Sequence, residues 1–219
     1  MLINTSWLTK ILASNLRLRW CTTRDTTTIT FFLHLLLSVS TSSLHQHEAN
    51  YTSSLLVRLD AGTFGTMGVG LGSAIAAALW CEDHAPEKRV ICIQGDSAFG
   101  FGGMEMGTVT RYCLPIIVIV FNNGGIYFGL EEDSFKSLQE GDAHPALSIP
   151  PNSLSLAAKY DKICEMFGGR GFNVKTVEEL RAAVKECLKV REPCVINITI
   201  APFSQKKPQD HPWLTRSHL

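Results

Sequence analysis

Residues Val90–Gly125 read VICIQGDSAFGFGGMEMGTVTRYCLPIIVIVFNNGG, and two apolar runs inside this stretch decide the fold. Pro115–Phe121 (PIIVIVF) is continuous, β-branched and unalternating, as a strand is when both of its faces are covered. Val90–Gln94 is a shorter run of the same kind, stopping at Gly95-Asp96, and reads as a second buried strand. Gly103–Tyr112, between them, reads as a helix. Strand, helix and strand in so short a span predict a parallel pair joined by a crossover.

The pattern continues on both sides. Leu156–Phe167 reads as a helix closed by Gly168-Gly169, and Phe172–Lys175 as a short strand. Thr176-Val177-Glu178-Glu179 fits a capping box, with the Thr oxygen on the amide of Glu179 and the Glu carboxylate reaching back. That helix runs to about Val190, and Cys194–Ile200 is a last strand. Upstream, Gly65–Cys81 (GTMGVGLGSAIAAALWC) passes from spaced glycines into Ala-rich helical sequence. Small residues there let a helix start sit hard against a ligand or a strand. Glu131–Asn152 is polar, contains prolines and reads as a long loop. The alternation predicts an α/β fold, a parallel sheet flanked by helices.

The chain has 219 residues, enough for one α/β domain with an appendage. Lys+Arg and Asp+Glu both number 20, so there is no basic surplus for a nucleic-acid partner. No run approaches the ~20 apolar residues of a membrane span. The 7 cysteines are odd in number and form no C-x-x-C pair, so neither a disulfide framework nor a zinc site is indicated. All 17 glycines lie at or after Gly62, whereas residues 1–57 hold 18 Ser/Thr and few charges. Two stretches of different character therefore meet near Arg58. Residues 1–57 are expected to be a non-homologous, largely unstructured leader, and residues 58–219 a folded domain. The apolar run Ile29–Val39 within the leader is too short to span a bilayer. Signal-peptide and transit-peptide readings of the leader are both less specific.

Two strand ends carry the chemistry. Parallel strands bring their carboxyl ends to one edge, where ligands bind in such sheets. Gly95-Asp96 and Asn122-Asn123 each follow a strand and should meet at that edge. A carboxylate, an amide oxygen and a glycine carbonyl are hard donors suited to Mg²⁺, which completes its shell with phosphates and water. Glycines around Asp96, with Ser97 and Ala98 at the following turn, leave backbone amides for an anion. Alone, Asp96 could simply cap that turn; paired with Asn123 it reads as a metal ligand. No G-x-x-x-x-G-K-[ST] is present. Gly65, Gly68, Gly70 and Gly72 loosely match a dinucleotide fingerprint without a strong strand before them, which leaves an NAD-binding alternative with little support.

Gly95-Asp96-Ser97 followed by Asn122-Asn123 resembles the thiamine-diphosphate motif. The wider text is more specific: RLDAGTFGTMGVGLG (Arg58–Gly72), GDSAFGFGGME (Gly95–Glu105), NNGGIY (Asn122–Tyr127) and the ending WLTRSHL (Trp213–Leu219). These residues are similar to the C-terminal, cofactor-binding domain of the 2-hydroxyacyl-CoA lyases, close kin to the oxalyl-CoA decarboxylases. The resemblance covers Arg58–Leu219.

The resemblance implies thiamine diphosphate and Mg²⁺ as cofactors. It implies Asp96 and Asn123 as magnesium ligands through side chains and Gly125 through its carbonyl. Gly95, Ser97 and Ala98 would hold the diphosphate, the last two through their amides. Met67 would be the wedge that keeps the cofactor bent, and Gly65 and Thr66 would touch the aminopyrimidine. Tyr127 would face the reacting carbon. Taken alone, Met67 reads as core packing, and Tyr127 and Glu105 stand evenly between packing and function.

The implied reaction cleaves a 2-hydroxyacyl-CoA to an aldehyde and formyl-CoA, the cofactor carrying the hard chemistry. The family's activating glutamate lies in a separate N-terminal domain of a partner subunit, and nothing in residues 1–57 replaces it. The chain is therefore expected to be a fragment of a lyase that is homo-oligomeric at full length. The alternative is a catalytically incomplete cofactor-binding module acting with full-length subunits. Ser217-His218-Leu219 resembles the S-K-L peroxisomal address, implying an import receptor as partner.

Overall fold

The computed structural model describes residues 66–126 and 128–203 in full, and the backbone of Phe32–Leu36 and Leu56–Leu59. The described elements run in chain order β1 (Phe32–Leu36), β2 (Leu56–Leu59), α1 (Val69–His84), β3 (Val90–Gly95), α2 (Asp96–Gly102), a 3₁₀ turn (Gly103–Glu105), α3 (Met106–Arg111) and β4 (Ile116–Asn122). They continue with α4 (Glu132–Glu140), α5 (Pro145–Ser148), α6 (Asp161–Met166), β5 (Arg170–Val174), α7 (Val177–Lys189) and β6 (Cys194–Thr199). The sheet order is β2-β1-β3-β4-β6-β5. Strands β3, β4, β6 and β5 are parallel, the expected arrangement, while β1 and β2 join antiparallel at one edge.

The unalternating runs have a direct explanation. Along β4, Ile116, Val118 and Val120 join the core beneath α1, α2, α3 and α6. Ile117 and Ile119 join a second core, beneath α7, with Ile91, Ile93, Ile196 and Ile198. Ile116–Val120 are thus each buried on one side or the other and have no exposed surface. Full burial of such side chains stabilises by roughly 1.5–3 kcal/mol each.

Helix α7 begins with the capping box the sequence spells. The amide of Glu179 donates to Thr176 Oγ1 at 3.2 Å, and the amide of Thr176 donates to Glu179 Oε2 at 3.2 Å. The turn after α6 closes at Gly168, whose φ of 88° suits glycine.

Four expectations are corrected. The loop expected over Glu131–Asn152 contains α4 and α5, neither of which buries a residue. The helix expected from Leu156 begins only at Asp161, because residues 151–160 form turns and irregular backbone. The single helix expected over Gly103–Tyr112 is a 3₁₀ turn running into α3, and an unexpected helix, α2, precedes it from Asp96. Strand β1 lies inside the run Ile29–Val39 that had no assigned structure, and its backbone pairs with β3. The rest of residues 1–55 lies outside the described residues.

Candidate functional site

Strands β3 and β4 pair in parallel with Gly95 opposite Phe121, so their carboxyl ends are level. Asp96 follows β3 and opens α2 with its side chain fully buried. Its Oδ2 accepts hydrogen bonds from the amides of Gly124 at 2.8 Å and Gly125 at 3.2 Å. Its Oδ1 accepts from the amide of Ser97 at 2.8 Å. The amide of Gly125 also lies 3.3 Å from Asn123 Oδ1. Asp96 and Asn123 therefore each place an oxygen within 3.3 Å of one nitrogen atom, which caps their separation at twice that distance.

Burial pushes the Asp96 carboxyl up to about 6, and hydrogen bonds from backbone amides pull only partly against it. Among the described residues no lysine, arginine or histidine forms an ion pair with it. A desolvated carboxylate without a counter-charge, beside amide and carbonyl oxygens, fits a hard divalent cation. Among the described residues no group of three or more His, Cys, Asp or Glu could hold a metal, so an ion here would draw on Asn and backbone oxygens as well.

The loop after β4 is shaped by close backbone approach. Gly124 has φ 73°, in the left-handed region. A Cβ on Gly129 would stand 2.0 Å from the carbonyl oxygen of Asn123, so only glycine lets the chain fold back there. Gly125 bridges to Ser153, with the amide of Leu154 donating to the Gly124 carbonyl and that of Ile126 to the Asn152 carbonyl. Asn122 anchors the same loop: its Oδ1 accepts from the amide of Gly124 at 3.2 Å, and its Nδ2 donates to the carbonyl of Ala158 at 2.8 Å.

A cavity of about 340 Å³ opens over this junction, lined by Asp96, Ser97, Gly100, Phe101, Ile126, Leu154 and Tyr160. Its size is that of a small-molecule pocket. Burial, together with the Asp96 carboxylate, pushes the Tyr160 phenol up to about 12, so it stays protonated near neutrality. Ala98 is buried in the first turn of α2. The turn at Met67-Gly68 packs beside α2: a Cβ on Gly68 would stand 2.7 Å from Phe101 Cβ. Met67 is half-buried and Thr66 exposed. Gly65, Tyr127 and Ser217–Leu219 lie outside the described residues. Glu105 is exposed and accepts from Thr108 at 3.1 Å, a local contact on the surface.

The sequence reading missed Asn122, Leu154 and Tyr160. Asn122 stands in the N-N pair and could have been read as the loop's anchor. Leu154 and Tyr160 carry no local signal, because only the return of the chain from β4 to α6 brings them to the edge.

Comparison with known proteins follows the same lines. The family model "Thiamine pyrophosphate enzyme, C-terminal TPP binding domain" matches residues 39–198, beginning upstream of the compositional seam. The 2-hydroxyacyl-CoA lyase 1 of Mus musculus is 50% identical over 163 residues, 74% of this chain and 28% of that protein. The oxalyl-CoA decarboxylase of Escherichia coli K12 is 43% identical over 145 residues, 66% of this chain and 23% of that protein. The chain thus matches about a quarter of the length of these relatives. Benzoylformate decarboxylase from Polynucleobacter necessarius shares the fold with a TM-score of 0.53 and 21% identity, over 69% of this chain and 28% of that one. The chain belongs to the thiamine pyrophosphate enzymes and carries their C-terminal TPP-binding domain.

Proposed function

We propose that the chain is the cofactor-binding part of a Mg²⁺- and thiamine-diphosphate-dependent lyase that cleaves a 2-hydroxyacyl-CoA into an aldehyde one carbon shorter and formyl-CoA. The observation that carries this is the buried Asp96 carboxylate, without a cationic partner among the described residues, meeting the Asn123–Gly125 loop at one sheet edge. The 50% identity to a 2-hydroxyacyl-CoA lyase supports the substrate class. Asp96, Asn123 and the Gly125 carbonyl would hold Mg²⁺. Gly95, Ser97 and Ala98 would hold the diphosphate, Gly65 and Thr66 the aminopyrimidine, and Met67 would support its bend. Tyr127 would face the reacting carbon.

When bound, the cofactor supplies the electron sink for carbon–carbon cleavage. The chain's own residues bind and orient. Oxygen donors from two strand ends would hold the ion, and Phe101, Ile126 and Leu154 would flank the diphosphate with apolar surface. The glutamate that the family uses to activate the cofactor has no counterpart in the described residues of this site, and a full-length subunit would supply it.

The direct assay incubates the 219-residue protein with 2-hydroxyacyl-CoA, Mg²⁺ and cofactor, alone and with full-length lyase subunits. Formyl-CoA from the mixture and none from the chain alone is the expected result. Formyl-CoA from the chain alone would rule out the reading as an incomplete module. No cofactor binding in either setting would remove the lyase proposal. Ser217-His218-Leu219 is proposed as a peroxisomal address read by an import receptor. A fluorescent protein fused ahead of the chain should enter peroxisomes and lose that destination when the tripeptide is deleted.

A further inference from the structure

Tyr160 has no assigned role, yet several independent features of the fold deliver it to the cavity. Its side chain lines the 340 Å³ space together with Asp96 and Ser97. The ring packs edge-on against Phe99, with centroids 5.9 Å apart and planes at 88°. Phe99 is fully buried, so this contact fixes the ring. Among the described residues the Tyr160 hydroxyl bonds to no protein group.

The lead-in to Tyr160 is held with unusual care. Ala157 adopts φ 53°, a left-handed conformation that costs a non-glycine residue roughly 1–2 kcal/mol. The carbonyl of Ala158 accepts two side-chain amides, Asn122 Nδ2 at 2.8 Å and Asn197 Nδ2 at 3.2 Å. These amides come from the neighbouring strands β4 and β6, and both asparagines are buried. Asn122 also receives the Gly124 amide, so one side chain ties the Tyr160 segment to the glycine loop that touches Asp96. A residue that merely filled the core would not need its backbone clamped to the ligand loop. A hydroxyl that must meet a ligand would.

We infer that Tyr160 is a ligand-contacting residue whose hydroxyl donates a hydrogen bond to a phosphate oxygen of the diphosphate held beside Asp96. The inference rests on the cofactor reading above and extends it to a donor outside the G-D-S and N-N motifs. A hydrogen bond to an anionic oxygen is charge-assisted and among the stronger ones.

The test is calorimetric titration of the 219-residue protein and its Tyr160→Phe variant with Mg²⁺–thiamine diphosphate and, separately, with Mg²⁺–pyrophosphate. Phe keeps the ring on Phe99, so the melting temperature should match the wild type. The expected result is about tenfold weaker binding of both ligands by the variant. Equal affinities for both proteins would overturn the inference. A loss confined to thiamine diphosphate would overturn the phosphate contact by moving it to the organic rings. Wild-type protein that binds neither ligand would overturn the cofactor reading itself, and this inference with it.

Discussion

At Asp96 burial and ionisation pull in opposite directions. The carboxylate is fully buried and has no cationic partner among the described residues, only three backbone amides. Replacing it by Asn keeps an acceptor for Gly124 and Gly125 and removes the buried charge, at the loss of the Ser97 bond, about 1 kcal/mol. The cofactor-free Asp96→Asn protein is therefore expected to melt no lower than wild type at pH 7.5, while losing Mg²⁺-dependent cofactor binding. A clear drop in melting temperature, read by calorimetry, would mean that the charge itself stabilises the fold. Gly129 offers the opposite case. Ala there would drive a Cβ to 2.0 Å from the Asn123 carbonyl oxygen. Gly129→Ala should both lower the melting temperature by several degrees and weaken Mg²⁺–diphosphate binding, because the loop that carries Asn123 must move. Asp96 and Asn123 were legible in the sequence because each ends a strongly apolar strand. Tyr160 was not, since its position depends on a long-range clamp on Ala158.

Among the elements, those that bury residues on the sheet were readable and those that do not were misjudged. Strands β3, β4 and β6 announce themselves through unbroken apolar runs that serve two cores. Helix α4 fully buries nothing; its apolar face consists of Phe135 and Leu138 alone, and local contacts such as the Glu132–Lys136 pair at 2.6 Å add support, so a polar, proline-containing stretch read as loop. Helix α6 starts later than its sequence suggests, because Asn122 and Asn197 hold the Ala158 carbonyl outside any helix, a long-range contact that local propensity does not reveal. The capping box of α7 makes a separate prediction. Thr176→Ala should cost about 1 kcal/mol, measurable by denaturant unfolding. Glu179 accepts the amides of Lys175 and Thr176, which hold its carboxyl below the ordinary value of 4.5. Its contribution is present above that value and lost as pH falls through the lowered folded value. Glu179→Gln should therefore lower the melting temperature at pH 7 and have a smaller effect at pH 3. An equal effect at both pH values would contradict the charge-assisted bond.

Across the whole molecule, a parallel sheet turns two distant sequence motifs into one edge. That is how Asp96 and Asn123 come to share the Gly125 amide across 27 positions of chain. The family match extends into the part of the chain read as a leader, starting at residue 39, so the seam in composition near Arg58 and the start of the family domain do not coincide. Composition responds to local residue usage, whereas strands β1 and β2 need only backbone pairing to extend a sheet. The central claim is that one divalent ion joins these strand ends to a diphosphate. Its most direct measurement is the affinity of the protein for thiamine diphosphate with Mg²⁺ and with EDTA, in wild type and in Asn123→Ala. The account predicts binding in Mg²⁺ alone, weakened at least about tenfold by the substitution. Binding that persists in EDTA, or that Asn123→Ala leaves unchanged, would contradict it.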